Sequence, residues 1–262
     1  MNLSPSSKFT VLVLAGTRKA PPAGTLAPSY KAALSLHGVP MIARVIESLR
    51  ASDHVGDIHV CGPAELADMT KVGLVPTRES PASSVAAFLE DAKQPWPVLV
   101  TTGDHPLLTS EMVDYFCART LENPADVTVG MASKSNIVNA YPGSRRTGYR
   151  FRDDSWCSCN IFGMNTPRVI DVVRFWRKIE ANRKRPLKIV GAFGIGTLAN
   201  VLLKRWTLTE AIDAVGARFG ITAKPVVMPW PEAAIDVDTL DDLLLVDAIL
   251  ARRDQNALRA AE

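Results

Sequence analysis

Two short runs of aliphatic residues, VLVL at positions 11–14 and VLVTT at positions 98–102, each stop at a turn that contains glycine. A continuous apolar run of this length is typical of a parallel strand covered on both faces. Between them, residues 41–49 place apolar side chains at helical spacing. This alternation predicts βαβ units and a mostly parallel sheet, in which ligands bind beyond the carboxyl ends of the strands.

The same patterns extend along the chain and show neither a linker nor a repeat. We therefore expect one domain over residues 1–262, a three-layer α/β/α sandwich around a mostly parallel, Rossmann-like sheet. Pro40 is predicted in the first turn of a helix. The predicted strands cover 11–14, 58–61, 74–75, 98–102, 127–131, 148–151, 161–164 and 223–228. The predicted helices cover 41–49, 84–92, 109–117, 167–181, much of 187–204, 207–219 and 239–251.

Composition excludes several classes of partner. The net charge is only +3, too small to indicate nucleic acid or an acidic membrane as a partner. No apolar run approaches the roughly 18 residues of a membrane span, and the polar start MNLSPSSKF lacks a signal-peptide core, so a cytoplasmic location is expected. The four cysteines are expected to be reduced thiols, because Cys157 and Cys159 lack the spacing of most zinc sites.

The turn after the first strand combines Gly16 with Thr17 and Arg18, and a proline-rich loop then leads to Lys31. Glycine lets a ligand approach the backbone, whose N–H groups can hold phosphate oxygens, and the two cations can neutralise phosphate charge. The stretch is neither a Walker loop nor a dinucleotide fingerprint. Alone, it is equally typical of a strand-ending turn with a solvated arginine.

Two acidic stretches follow. In TTGDHPLLT, Asp104 comes directly after a strand and Gly103, where it can bind Mg²⁺ or cap the following turn. In AAIDVDTLDDL, alternation along a strand would place Asp236 and Asp238 on one face, just before a helix. One of this pair can bind metal, or both can serve helix capping together with the acids of the first turn.

Taken together, LAGTR with Lys31, TTGDHPLL and DVDTLDDL resemble the nucleotidyltransferases of the molybdenum-cofactor guanylyltransferase-like (MobA-like NTP transferase) family, of GT-A type fold. That family has the patterns L-A-G-G-x-x-x-R, G-D-x-P-L and D/N-x-D/N-T-x-E-D-L in this order and spacing. Thr17 replaces the second glycine, and Leu240 replaces the usual proline. The strand SWCSCNIFGM is similar to the family's central Ser-Gly-x-N strand.

The resemblance implies an enzyme that transfers a nucleoside monophosphate from a nucleoside triphosphate to a phosphorylated small molecule and releases pyrophosphate, with Mg²⁺ as cofactor. Residues 9–120 would bind the nucleotide and residues 121–262 the acceptor. The basic residues at 183–185 and 188 would steer the acceptor, or form a solvated helix end. The implied catalytic residues are Arg18, Lys31 and Asp104. The implied nucleotide-binding residues are Leu14, Ala15, Gly16, Thr17, Ser83 and Gly103. The implied metal ligands are Asp104, Asp236 and Asp238.

Two other functions remain open. A glycosyltransferase of the same fold class that uses a sugar nucleotide would also hold its metal through an Asp-x-Asp motif. A protein that binds nucleotide without catalysis is compatible with the departures at Thr17 and Leu240. The sequence identifies neither the nucleobase nor the acceptor, and it does not predict the oligomeric state.

Overall fold

The computed structural model of the chain describes residue 4 and residues 6–16, 30–91, 96–123, 125–181 and 203–261. The predicted helix at 187–204 lies outside these ranges except for its last two residues, which form part of a turn. Elements are numbered below in the order in which the described residues form them.

Eight strands form one sheet in the order β10-β7-β9-β6-β1-β4-β5, with β8 paired to β9. All ladders on this path are parallel except those of β9, which runs antiparallel to β6 and β7. The strands of the sheet are β1 Phe9–Leu14, β4 Val55–Cys61, β5 Gly73–Val75, β6 Val98–Thr102, β7 Val127–Ser133, β8 Tyr149–Arg150, β9 Ser155–Met164 and β10 Ala223–Val227. A separate hairpin consists of β2 Ser35–Leu36 and β3 Val39–Pro40.

Helices cover both faces of the sheet. Along β1, Val11 and Val13 join the apolar cluster under α1 and α4, whereas Leu12 joins the cluster under α3 and α6. Both faces are therefore buried, as the continuous apolar run predicted. The helices are α1 Met41–Arg50, α2 Ala67–Thr70, α3 Pro81–Glu90, α4 Ser110–Glu122, α5 Lys134–Ala140, α6 Val169–Ala181, α7 Leu208–Arg218 and α8 Leu240–Ala261. The expected single-domain α/β sandwich with a mostly parallel sheet is confirmed.

Most differences from the predicted elements concern their ends. Ser80 accepts from the backbone N–H of Ser83, so α3 begins at Pro81 rather than at position 84. Pro40 is not in the first helical turn, because it pairs with Ser35 in the hairpin and precedes α1. Thr109 and Thr207 cap α4 and α7 through their side chains. The short elements α2, α5, β2 and β3 were not predicted, because each is too short for a hydrophobic period.

The strand β9 begins at Ser155, six residues before the predicted start at 161. Its pairing with β7 passes from Val129↔Phe162 to Met131↔Ser158, so three residues of β9 lie opposite the single residue Gly130. A Cβ atom at Gly130 would lie 2.3 Å from the side chain of Ile161, so the bulge requires glycine there. This bulge sets the position of Asn160, whose φ is +51°, an angle that asparagine tolerates better than most residues.

Candidate active site

The ends of β1 and β6 lie side by side and bring two predicted turns together. The N–H of Gly103 donates to the carbonyl of Leu14 at 2.9 Å, and the N–H of Ala15 donates to the carbonyl of Cys61 at 2.8 Å. A Cβ atom at Gly103 would lie 3.3 Å from Ala15 Cβ, so the two turns are tightly packed. The N–H groups of Ala15 and Gly103 are thus bonded within the fold, and Gly16 is the exposed residue at this edge.

Gly16 is not required by packing within the part of the chain that the structure describes. There, a Cβ atom at Gly16 would meet only the Thr77 side chain, at an ordinary contact distance of 3.4 Å. Thr77 lines an open cavity of about 570 Å³, together with Arg78, Glu79, Ser83, Ala86, Ala87, Glu90 and Arg177. The structure therefore places the predicted nucleotide-binding residue Ser83 beside a cavity that begins next to the Gly16 turn.

Three carboxylates converge at the same edge of the sheet. Asp104, Asp236 and Asp238 each offer one oxygen, and these three atoms lie within 4.8 Å of one another. A backbone hydrogen bond joins the segment that carries Asp104 to the segment that carries Asp236 and Asp238: the N–H of Val237 donates to the carbonyl of Asp104 at 3.0 Å. They are joined again by the buried ring of His105, whose Nε2 lies 3.0 Å from the carbonyl of Glu232. Since a carbonyl only accepts, His105 Nε2 carries the proton, and burial lowers the pKa of this imidazole.

The backbone around Asp236 and Asp238 differs from the prediction. These residues do not lie on a strand but in a loop between the 3₁₀ turn Pro231–Ala234 and α8. The N–H of Val237 is committed to one bond with Asp104, and the carbonyl of Asp236 accepts from Arg146 at 3.0 Å. Individual hydrogen bonds to the Asp104 turn and from the Arg146 side chain thus replace the regular hydrogen-bond ladder of a strand. They still bring both carboxylates to the site.

Lys31 lies between two carboxylates of this cluster. Its Nζ donates to Asp104 Oδ2 at 2.5 Å and to Asp238 Oδ1 at 2.7 Å. Burial alone would lower the pKa of this ammonium, but the two carboxylates outweigh it and raise the pKa above its ordinary value. Lys31 was predicted to neutralise phosphate charge; in the structure it bridges two of the predicted metal ligands and remains protonated.

Asp236 is held by two donors. Arg146 Nη1 donates to Oδ1 at 2.7 Å, and Asn160 Nδ2 donates to Oδ2 at 3.2 Å. The pKa of Asp236 is nevertheless raised, first by burial and then by the neighbouring charges of Asp104 and Asp238, against the opposing effect of Arg146 and Lys31. A cation at the cluster would relieve this repulsion and favour the ionised form.

Residues other than Asp238 cap the beginning of α8. Thr239 Oγ1 accepts from the N–H of Asp242 at 3.2 Å, and Asp242 Oδ2 accepts from the N–H of Thr239 at 2.8 Å. This reciprocal pair has the form of a capping box. The capping role considered for Asp238 is thus filled by Thr239 and Asp242, and the Asp238 carboxylate points to Lys31 instead.

The donor set fits a divalent cation that prefers oxygen. Oxygens on one Mg²⁺ lie roughly 3–4 Å apart, so three oxygens within 4.8 Å need only small shifts. Among the residues that the structure describes, Asp104 Oδ1 is buried and has no hydrogen-bond partner. A buried carboxylate oxygen without a donor is well suited to a metal ligand.

Several predicted residues cannot be placed. Thr17, Arg18 and the basic residues at 183–185 and 188 lie outside the described residues. Conversely, sequence reasoning did not assign Arg146, Asn160 or Asp242 to the site. The signals for the last two were present, since Asn160 belongs to the strand that resembles the family's central strand and Asp242 completes T-x-x-D at a helix start. No local pattern distinguishes Arg146 from its neighbour Arg145.

The sequence profile of the MobA-like NTP transferase domain matches residues 11–189, more than half of the chain. The chain belongs to the MobA-like NTP transferase family. This membership supports a nucleotidyl transfer activity and agrees with the resemblance carried by LAGTR, TTGDHPLL and DVDTLDDL. A comparison with curated protein sequences found no match.

Solved structures share the fold. A hypothetical transferase from Thermus thermophilus is 27% identical with a TM-score of 0.78, over 90% of this chain and 99% of that one. A CMP:2-keto-3-deoxy-manno-octonic acid synthetase complexed with CTP is 14% identical with a TM-score of 0.59, over 94% and 100% of the two chains. A 4-diphosphocytidyl-2C-methyl-D-erythritol synthase from Anaerococcus prevotii DSM 20548 is 11% identical with a TM-score of 0.57, over 94% and 97%. At these identities the last two show the fold alone.

The described helices were also compared with the requirements of a membrane span. None of them combines the length and the apolar character needed to cross a bilayer.

Proposed function

We propose that this protein transfers a nucleoside monophosphate from a nucleoside triphosphate to a phosphorylated small molecule, in a reaction that depends on Mg²⁺ and releases pyrophosphate. The observation that carries the proposal is the convergence of Asp104, Asp236 and Asp238 beside the exposed Gly16 turn. The family supports the class of reaction, and two neighbours of the same fold are synthetases of cytidylyl compounds by name.

The negative charge of the cluster supports a divalent cofactor. Asp104, Asp236 and Asp238 place three carboxylate oxygens within 4.8 Å of one another, and a bound divalent cation would relieve the repulsion between these groups. Bound Mg²⁺ would neutralise charge on the α-phosphate and on the leaving pyrophosphate.

The reaction needs no covalent enzyme intermediate. An oxygen of the acceptor phosphate attacks the α-phosphorus in line, the bond to the β-phosphate oxygen breaks, and that oxygen leaves with pyrophosphate. Lys31 would contact the phosphates from its place beside Asp104, and the backbone at Gly16 would allow them to approach closely. Arg18 and Thr17 stay proposed partners of the phosphates. The work of these residues is positioning and charge stabilisation.

The two halves of the chain would divide the substrates. We assign the nucleobase to the cavity beside Thr77 and Ser83, because it adjoins the Gly16 turn and lies within residues 9–120. The phosphorylated acceptor would bind on the side of residues 121–262, beyond Asp236.

The test is pyrophosphate release from the full chain. A thermal-shift screen of the four nucleoside triphosphates with Mg²⁺ selects the nucleotide, because a bound ligand raises the melting temperature. That nucleotide is then incubated with sugar 1-phosphates, alcohol phosphates and pterin phosphates, with Asp104→Ala as the background control. Pyrophosphate and a nucleoside-diphosphate-linked product, both absent in the control, are the expected result.

The same experiment separates the other two functions. A glycosyltransferase would consume a sugar nucleotide and release a nucleoside diphosphate without pyrophosphate. A protein that only binds nucleotide would give a thermal shift and no product with any acceptor. Either outcome would contradict the proposal.

A further inference from the structure

Arg146 is a buried arginine whose guanidinium contacts two carboxylates and takes no part in the reaction described above. Its side chain is only 7% exposed. Nη1 donates to both the carboxylate and the carbonyl of Asp236, at 2.7 and 3.0 Å, and Nη2 donates to Asp242 Oδ1. Nε donates to Ser144 at 3.3 Å. All three guanidinium nitrogens are therefore bonded to protein, and four of the five N–H groups are used in these bonds.

The two carboxylates that Arg146 joins have different tasks. Asp236 belongs to the acidic cluster, while Asp242 closes the capping box at the beginning of α8. Because the planar guanidinium forms a fixed fork, it sets the distance and the angle between them. The loop that carries Asp236 has few ladder bonds of its own, so this fork fixes its position.

From these contacts we infer that Arg146 is the positioning residue of the metal site: it holds Asp236 in the orientation in which its carboxylate can bind a divalent cation. The inference rests on the proposed function, since it requires the acidic cluster to bind metal. Arg146 acts through Asp236 and touches neither the cation nor the substrate. Partners of this kind typically contribute 10- to 100-fold to metal affinity.

Charge and position predict opposite results for Arg146→Ala. Removing a positive charge next to three carboxylates makes the site more negative, so charge alone predicts tighter cation binding. Loss of position predicts weaker binding, because Asp236 is no longer held toward the cluster. The sign of the change in affinity therefore distinguishes the two accounts.

The probe is Mn²⁺, titrated into the full chain and followed by the electron paramagnetic resonance signal of the free ion. We expect Arg146→Ala to weaken Mn²⁺ binding by about tenfold or more. Arg145→Ala removes the same charge from the neighbouring exposed residue and should bind Mn²⁺ like the parent chain. Arg146→Lys keeps the charge without the fork and should fall between them.

A purely structural role for Arg146 is tested by the melting temperature of Arg146→Ala, measured beside its Mn²⁺ binding. On that account, the variant would lower the melting temperature and leave Mn²⁺ binding by the folded protein unchanged. A lower melting temperature with parental Mn²⁺ binding would therefore show that Arg146 only supports the helix. Should Arg146→Ala fail to fold, by its circular dichroism spectrum, Arg146→Lys carries the comparison.

The outcomes separate this inference from the proposed function. If the parent chain and Asp104→Ala bind Mn²⁺ equally, the metal site itself is wrong, and both fail. If Asp104→Ala loses Mn²⁺ but a folded Arg146 variant binds it as tightly as the parent, the metal site stands and the role of Arg146 is overturned.

Discussion

In the first half of the molecule the sheet is held by apolar packing, whereas in the second half it is held to a large extent by buried polar contacts. The strands β1, β4 and β6 bury aliphatic side chains on both faces, and α1 adds a continuous apolar stripe from Met41 to Leu49. In the second half, Thr128 shares a hydrogen bond inside the fold with Thr120, the last residue of the first half, and two networks around carboxylates join neighbouring elements.

One of these networks surrounds Asp126, at the start of β7. Its carboxylate accepts from the backbone N–H and the hydroxyl of Thr222 at 2.8 and 3.0 Å, and from the hydroxyl of Thr166 at 2.6 Å. Nη1 of Arg168 lies 3.3 Å from Oδ2 of Asp126. The other network is that of Arg146. Apolar packing does not depend on the protonation of carboxyl groups, whereas the two carboxylate networks do. Acid should therefore weaken the contacts of the second half more than those of the first.

The candidate site lies where the two halves meet, with Asp104 and Lys31 on one side and Asp236 and Asp238 on the other. Changes on the first side should affect activity with little effect on folding. On the second side, changes at Asp236 should affect both, whereas changes at the half-exposed Asp238 should affect mainly activity.

The largest effect is expected for Asp104→Ala. Removing the ligand whose Oδ1 has no described hydrogen-bond partner should reduce pyrophosphate release by about 1,000-fold and abolish Mg²⁺-dependent nucleotide binding. The melting temperature should change little, because Lys31 keeps Asp238 as a partner. Asp171→Ala, at an exposed carboxylate on α6, is the matched control and should be fully active. An Asp104→Ala protein with an unchanged response to Mg²⁺ would remove Asp104 from the site.

Asp236→Asn and Asp238→Asn should each lower turnover by about 100-fold, but with different effects on folding. In Asp236→Asn the new amide NH₂ must face either Arg146 or Asn160, both donors, so we expect a loss of about 1–3 kcal/mol in unfolding free energy. Asp238 is about half exposed, at 47%, and its substitution should leave stability nearly unchanged. Melting curves and turnover of both variants are the measurement. Equal melting temperatures would break the contrast between the two neighbours, and full turnover in both would remove the C-terminal pair from the metal site.

Gly16→Val should weaken triphosphate binding by tens of fold, about 2 kcal/mol, without loss of secondary structure. The reason is that the described residues leave space for a side chain at Gly16, so the added bulk obstructs the ligand rather than the fold. Gly143→Val is the control, since Gly143 is exposed and has no described atom within 4 Å of a Cβ at that position. Normal nucleotide binding by Gly16→Val, measured by calorimetry, would reduce Gly16 to a turn residue.

The smallest effect on activity is expected at Asp126, whose carboxylate affects the stability of the fold in acid. Burial opposes ionisation of this carboxylate, but Thr166, Thr222 and Arg168 outweigh it and lower the pKa. Its stabilisation is therefore fully present above the pKa of the unfolded chain, about 3.9, and is lost as the pH falls through the lower folded value. Asp126→Asn should lower the unfolding free energy by about 1–3 kcal/mol at pH 7. Denaturant titrations from pH 7 to pH 3 should show the difference from the parent shrinking below about pH 4; a constant difference would contradict the ionic contribution.

The contrast between the halves also explains what the sequence could predict. The strands β1 and β6 and the stripe of α1 follow from hydrophobic period alone, and the glycine turns marked where their ends meet. The longer β9 did not, because its first residues, SWCSCN, include none of the β-branched or long aliphatic residues that indicate a strand. The pairing of Arg146 with Asp236 joins residues 90 positions apart, and no local pattern encodes such a contact.

The bridge that Lys31 forms between Asp104 and Asp238 bears on how the protein can be handled. The ammonium of Lys31 partly neutralises the negative charge of the acidic cluster. We therefore expect the protein to fold without a divalent ion and to stay folded when a chelator is added. An incoming cation therefore finds one oxygen of Asp104 and one of Asp238 already paired with the ammonium of Lys31. A cation bound to Asp104 Oδ1, which has no described hydrogen-bond partner, would compete with the lysine for the other carboxylate oxygens, and a displaced ammonium would lie next to the place where we expect the phosphates to enter.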